Sequence, residues 1–183
     1  MFFIILLYIN VCYIYKRTAL SILALLLWFW QQATAEMVNL NIQFTDYTAQ
    51  DGDLLIGKLR STLKLTITDG ATVTISGMQI NGRNSEDCPW AGINCKGDAT
   101  IVVAGMKLVR GYYEDYPGIY VPSGHTLTFR GSGSLEVENL GKGAAIGSGF
   151  GQSCGNIVIN GGTIIARGGN NAAAIGSASN GTC

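Results

Sequence analysis

Ala144-Ala145-Ile146-Gly147-Ser148 returns unchanged further along the chain as Ala173-Ala174-Ile175-Gly176-Ser177. Earlier counterparts of this element are Trp90-Ala91-Gly92-Ile93 and Tyr116-Pro117-Gly118-Ile119, so that Ile93, Ile119, Ile146 and Ile175 recur at a nearly even step. Gly70, Gly97 and Gly124 keep a step of the same size. Behind each of them, and behind Gly155, comes a short alternating segment: Val73-Thr74-Ile75, Ile101-Val102-Val103, Leu127-Thr128-Phe129 and Ile157-Val158-Ile159. Each runs to a glycine (Gly77, Gly105, Gly131, Gly161) and then to a second segment: Met78-Gln79-Ile80, Met106-Lys107-Leu108, Leu135-Glu136-Val137 and Ile164-Ile165-Ala166. Self-similarity at a period of roughly 20–50 residues marks a solenoid or an array.

Apolar residues at every second position turn one face of each segment inward. A glycine at each corner admits the left-handed or crowded backbone of a sharp bend. Three strands and three corners in about 27 residues make one coil. Coils stacked at the strand spacing of roughly 4.8 Å bury columns of Ile, Val, Leu and Phe. After residue 36 no stretch carries a 3.6-residue period. The expected fold is all-β, a right-handed single-stranded parallel β-helix of about four coils, the hand following the rule for parallel crossovers. The rival is an antiparallel sandwich with turns every ~8–12 residues, which does not require glycine, strand and isoleucine to share one register.

Residues 36–69 fit the repeat in part. Leu54-Leu55-Ile56 and Leu63-Lys64-Leu65-Thr66-Ile67 form an imperfect first coil, and Val38-Asn39-Leu40-Asn41-Ile42 is placed to cap it. Residues 70–183 hold the regular coils, and the stop at Cys183 in mid-repeat reads as a C-terminally truncated solenoid. With 25 glycines among 183 residues, glycine runs at about twice its usual share. Hydrophobic residues at 48% exclude a charged disordered tail, and the glycines do not recur at every third position as collagen demands. A formal charge of zero gives no reason to expect nucleic acid or a polybasic membrane contact.

Lys16-Arg17, the apolar run 18–30 and Ala33-Thr34-Ala35 make residues 1–35 a signal peptide cut before Glu36. The apolar stretch 1–15 ahead of the basic pair fits a start placed too far upstream. An uncleaved anchor is the rival, although the run is short of the roughly 20 residues a span needs. The expected location is therefore secreted or at the cell surface, with membrane contact only through the export signal or an anchor elsewhere in a longer chain. The part from Glu36 on carries 10 Lys/Arg, 12 Asp/Glu and four of the five cysteines, Cys88, Cys95, Cys154 and Cys183. An even count in an exported chain favours disulfides. Cys154 and Cys183 are separated by the same step as Ile146 and Ile175. Equivalent positions on adjacent coils lie within disulfide reach; a partner for Cys183 on a further coil is the alternative. Cys88 and Cys95 flank the Trp90–Ile93 element and would close a small local loop. Zinc is the rival, but there is no CxxC pair and the only histidine is His125. No metal or cofactor is expected.

Several of these runs resemble a known repeat type. They are Asp69–Ile75, Trp90–Cys95, Gly97–Ile101, Tyr116–Pro122, Gly131–Leu135 and Cys154–Thr163. Together they are similar to the Gly-rich repeats of large surface proteins of gut and rumen anaerobic bacteria, described as carbohydrate-binding-domain-containing or adhesin-like. The resemblance covers about residues 50–183 and is specific for the repeat type. It implies a right-handed β-helix and a non-catalytic adhesin-like or glycan-binding module, and it supplies no catalytic residues. The alternatives are a structural stalk and a part of a β-helix polysaccharide lyase.

Catalysis on a β-helix needs acids clustered on one face, often with Arg, Lys or Ca²⁺. Here the acids are scattered. Asp69 and Asp98 sit beside corner glycines as turn residues, and Glu136 and Glu138 alternate with Leu135 and Val137 on a solvated face. Glu86-Asp87 and Glu114-Asp115 precede their isoleucines by similar distances, so they would stack on adjacent coils with Arg83 and Arg110 nearby. That is a weak Ca²⁺ or sugar site, or simply a solvated loop. His125 reads as a surface turn residue. Trp90 and Tyr116 each lie three residues before an aligned isoleucine, with Tyr112, Tyr113 and Tyr120 close by. Rings flanked by carboxylates are what sugar surfaces use. Trp90, Tyr112, Tyr113 and Tyr116, with Glu114 and Asp115, are therefore the candidate contacts for a polysaccharide or cell-surface glycan. An aromatic ladder that only covers the corner is the alternative.

Overall fold

The computed structural model describes residues 36–82 and 85–183. The proposed leader 1–35 and Arg83 lie outside the described residues, as does Asn84. Residues 36–183 form a β-solenoid of about four turns with three faces. All pairings between named strands are parallel. The first face stacks the start of Leu54–Leu59, the first half of Ala71–Asn81, then Ala99–Ala104, Thr126–Gly131 and Asn156–Ile159. The second stacks the second halves of those two long strands, then Met106–Arg110, Ser134–Glu138 and Thr163–Arg167. The third runs through Tyr47–Ala49, Leu65–Ile67, Ile93–Cys95, Ile119–Tyr120, Ile146–Gly147 and Ile175–Gly176.

The isoleucine register holds residue for residue: Leu65, Ile93, Ile119, Ile146 and Ile175 are successive partners on the third face. Val73, Ile101, Phe129 and Ile159 form the matching column on the first face, and Ile80, Val109, Val137 and Ala166 on the second. Each Val, Leu, Ile or Phe of these columns that is fully buried stabilises the fold by about 1.5–3 kcal/mol relative to exposure. Burial falls off in the last coil. Its inward-facing Ile159 and Ile175 are 46% and 40% exposed, whereas Phe129 and Ile146 beneath them are fully covered.

Two details depart from the idealised repeat. Residues 71–81 run as one strand through Gly77, whereas the later coils break at Gly105 and after Gly131. The first coil is short: Leu54 pairs with Thr74 and Tyr47 with Leu65, and the register slips by one residue between Leu55 and Gly57. Leu40, in the 3₁₀ turn Leu40–Ile42, is buried against this coil.

The period-two rule also places a lysine inward. Lys107 shares its register with Leu135 and Ile164, is buried, and has its pKa lowered by that burial. Gly105, just before it, has φ of 81°, and a Cβ there would stand 2.9 Å from Lys107 Nζ. The positive φ is what calls for glycine here, while the ammonium, at the end of a flexible chain, could move aside for a Cβ.

At the corner leading into the first face, aspartates tie one coil to the next. Asp51 Oδ1 accepts from the Thr72 N–H at 2.8 Å, Asp69 Oδ1 from the Asp98 N–H at 2.8 Å, and Asp98 Oδ1 from the Thr126 N–H at 2.7 Å. Asp69 and Asp98 are turn residues, as their place beside glycine implies. One carboxylate oxygen of each is engaged by the neighbouring coil's backbone. His125 Nδ1 stands 3.4 Å from Asp98 Oδ1 at the same corner.

Candidate functional site

The aromatic residues singled out by sequence do not form one platform. Tyr112 has no exposed surface, belongs to the hydrophobic core and donates its hydroxyl to the Arg60 carbonyl at 3.2 Å. Burial pushes the pKa of that hydroxyl well up. It therefore cannot stack on a sugar. Trp90 packs on the same core with its ring centroid 5.8 Å from that of Tyr112 at 47°. Its indole N–H is buried without a hydrogen-bond partner. This pair packs its rings against the core and against each other. Tyr113 is half-buried, and the nearby Glu86 carboxylate, one coil step earlier, raises its pKa first of all. Tyr116 is half-buried too. The suggested partnership of Arg110 with the acid pairs is also corrected. Arg110 reaches Glu138 Oε2 through Nη2 at 2.7 Å and Asn81 Oδ1 through Nη1 at 2.8 Å, because all three project from the second face in register. Arg167 joins the same row, pairing with Glu136 and, at 3.3 Å, with Glu138.

Cys154 and Cys183 form a disulfide with Cα atoms 5.1 Å apart, as coil equivalence requires. Cys88 and Cys95 do not bond to one another; both are buried thiols. Cys95 follows the inward parity of Ile93 in its strand and pairs in register with Ile67. Cys88 belongs to a corner, where its Sγ contacts the Ser61 carbonyl at 3.9 Å. Burial pushes the Cys95 pKa up to about 12.

Glu114 of the acid pair lines a groove of about 510 Å³ built from the stacked corners after the second face together with the segments that follow Ile146–Gly147 and Ile175–Gly176 on the third. Buried Asn139 organises these corners. Its Oδ1 accepts from the Gly141 N–H at 2.7 Å, and its Nδ2 donates to the Tyr116 carbonyl one coil below. The Glu114 carbonyl accepts from the Lys142 and Gly143 N–H groups at 2.6 and 3.0 Å, and the Asp115 carbonyl from the Phe150 N–H at 2.8 Å. A Cβ at Gly141 would land on the Glu114 backbone, so the close approach of the two loops requires glycine. Ser179 Oγ donates to the Asn171 carbonyl at 2.7 Å and closes the far wall.

One wall is apolar: Leu140 is 70% exposed and Phe150 39%. The other presents Asn170, Asn171 and Asn180. Asn171 and Asn180 have φ of 55° and 60°, the only two non-glycine residues at positive φ among those described. Asparagine is the side chain best able to take that conformation. The lining carries one carboxylate, Glu114, and one ammonium, Lys142. Lys142 Nζ stands 4.0 Å from Asp115 Oδ1 and 5.5 Å from the Phe150 ring centroid.

Sequence reading reached Glu114 and Asp115 but missed Leu140, Lys142, Phe150 and the asparagines. The usable signal was coil length. The step from Ile146 to Ile175 is longer than that from Ile119 to Ile146, and insertions in a solenoid collect in loops on one face, often the binding face. No family model, no curated protein and no solved structure matches the chain.

Proposed function

We propose that the chain is a non-catalytic, exported β-solenoid module, adhesin-like, that binds a polysaccharide or cell-surface glycan in the groove between Leu140–Phe150 and the three asparagines. The observation that carries this reading is the pairing of two exposed apolar side chains with a row of amides in one open groove. Apolar surfaces pack on the C–H face of a pyranose, while amide donors and acceptors match its hydroxyls. The single carboxylate of the lining supports binding over cleavage, since glycoside hydrolysis uses two acids across the scissile bond. The test is a glycan array of residues 36–183, followed by calorimetry on each hit. Phe150→Ala is expected to weaken binding tenfold or more, about 1.4 kcal/mol, with unchanged circular dichroism, and Trp90→Phe to leave binding intact. An empty array, or affinity indifferent to Phe150→Ala, would remove the proposal.

A second reading is a structural spacer. It is favoured by the regular in-register stacking of the third face from Leu65 to Ile175.

A further inference from the structure

At the opposite end of the solenoid, the strand Leu54–Leu59 and the corner after it border a second pocket, of about 340 Å³, lined by Asn41, Lys58, Leu59, Arg60, Ser61 and Asn81. Its chemistry differs from that of the groove. The Asn41 Oδ1 accepts from the Lys58 N–H at 2.9 Å, and the Asn81 Oδ1 from Arg110 Nη1 at 2.8 Å. The Arg60 carbonyl accepts from Tyr112 Oη at 3.2 Å and from the Leu63 N–H at 3.1 Å. The Ser61 carbonyl is contacted by Cys88 Sγ. Four acceptors around the pocket are therefore engaged by the protein itself. These residues still have two amide NH₂ groups, a hydroxyl, an ammonium and a guanidinium to offer, which are donors.

The two cations are also uncommitted. The ion pairs among the described residues use Arg110, His125, Lys142 and Arg167, not Lys58 or Arg60. Arg60 is held by the Phe44 ring, 4.2 Å from its Cζ, which orients the guanidinium without neutralising it. A guanidinium, an ammonium and amide donors on residues that line one pocket are the groups that recognise a tetrahedral or planar oxyanion.

We propose that this pocket is an oxyanion site for one sulfate, phosphate or carboxylate group, free or carried on a polysaccharide. The site is independent of the groove and does not rest on the glycan reading.

The probes are sodium sulfate and sodium phosphate, titrated into ¹⁵N-labelled protein of residues 36–183 at constant ionic strength set with chloride. The expected result is a saturable shift of the amides of residues 58–61 and of the Asn41 and Asn81 side-chain NH₂ signals. Lys58→Gln combined with Arg60→Gln is expected to weaken this at least tenfold. Arg60→Lys, which keeps the charge but not the fork, should fall between, and Lys142→Gln in the groove should match the parent. A polymer arm separates the sources. Retention by dextran sulfate but not by dextran assigns the anion to a polysaccharide, and response to the inorganic ions alone assigns it to a free ion. Shifts that do not saturate, that chloride reproduces, or that survive the double substitution in a folded protein overturn the proposal.

Discussion

The Tyr112 hydroxyl donates to the Arg60 backbone carbonyl across 3.2 Å, joining corners 52 residues apart in the chain. The bond ties the corner of the short first coil to that of a coil well above it, through a ring with no exposed surface. A side chain with the composition of a sugar contact thus serves to hold the corner that carries Arg60 and Ser61.

Tyr112 is therefore expected to matter for stability. Tyr112→Phe removes one hydrogen bond and should cost about 0.5–1.5 kcal/mol. Tyr112→Ala also opens a cavity in the core and should cost about 3–5 kcal/mol, as large aromatic truncations do. Urea unfolding followed by circular dichroism measures both. Equal effects of the two substitutions would show that the ring is not packed as described.

Peptide mapping without reduction should find one bridge, Cys154–Cys183, with Cys88 and Cys95 as thiols. Reducing the bridge opens a closed loop of 29 residues, which on the chain-entropy account costs roughly 3–4 kcal/mol. Hydrogen exchange should locate the loss in the last coil, where Cys154 N–H also donates to the Thr182 carbonyl at 2.9 Å. A Cys88–Cys95 bridge in the map would contradict the inward parity of Cys95.

Cys95 links stability to alkaline pH. Its thiol pKa rises from 9.0 to about 12 on folding because burial disfavours the thiolate. The unfolded chain then releases this proton first. The thiol's contribution to stability is fully present below pH 9 and falls as pH climbs toward 12, by up to about 1.4 kcal/mol per pH unit. Iodoacetamide at pH 8 should label Cys95 readily in urea and slowly in buffer. Fast labelling of the native protein would place the thiol at the surface.

Asp98 offers a test of the corner ties. Asp98→Ala leaves the Thr126 N–H without its 2.7 Å acceptor and should cost about 1 kcal/mol, because water can replace an exposed partner. Asp98→Asn keeps an oxygen in place and should cost less. Thermal unfolding distinguishes them, and a larger loss for Asn than for Ala would refute the acceptor role.

The columns Val73–Ile101–Phe129 and Ile93–Ile119–Ile146 could be read from the chain because strand parity is local and each coil repeats the register of the last. The pairing of Cys154 with Cys183 followed from the same step. Tyr112 and Phe150 could not be sorted in this way. Both sit in corners, where no period of two exists and the direction of a side chain depends on the loops above and below. Lys107 shows that parity, once established, outweighs polarity: the inward slot was taken by a lysine whose ammonium lies beside Gly105.

The basic pocket draws Asn41 from the first turn, Lys58, Arg60 and Ser61 from the short coil, and Asn81 from the coil above it. These residues share no spacing, since the first coil is shorter than the rest. The sequence by itself determined the period, the three faces and the stacked core, because those depend on alternation and on glycine at corners. Only the tertiary structure decided which corner side chains meet, because that depends on how loops of unequal length pack across coils.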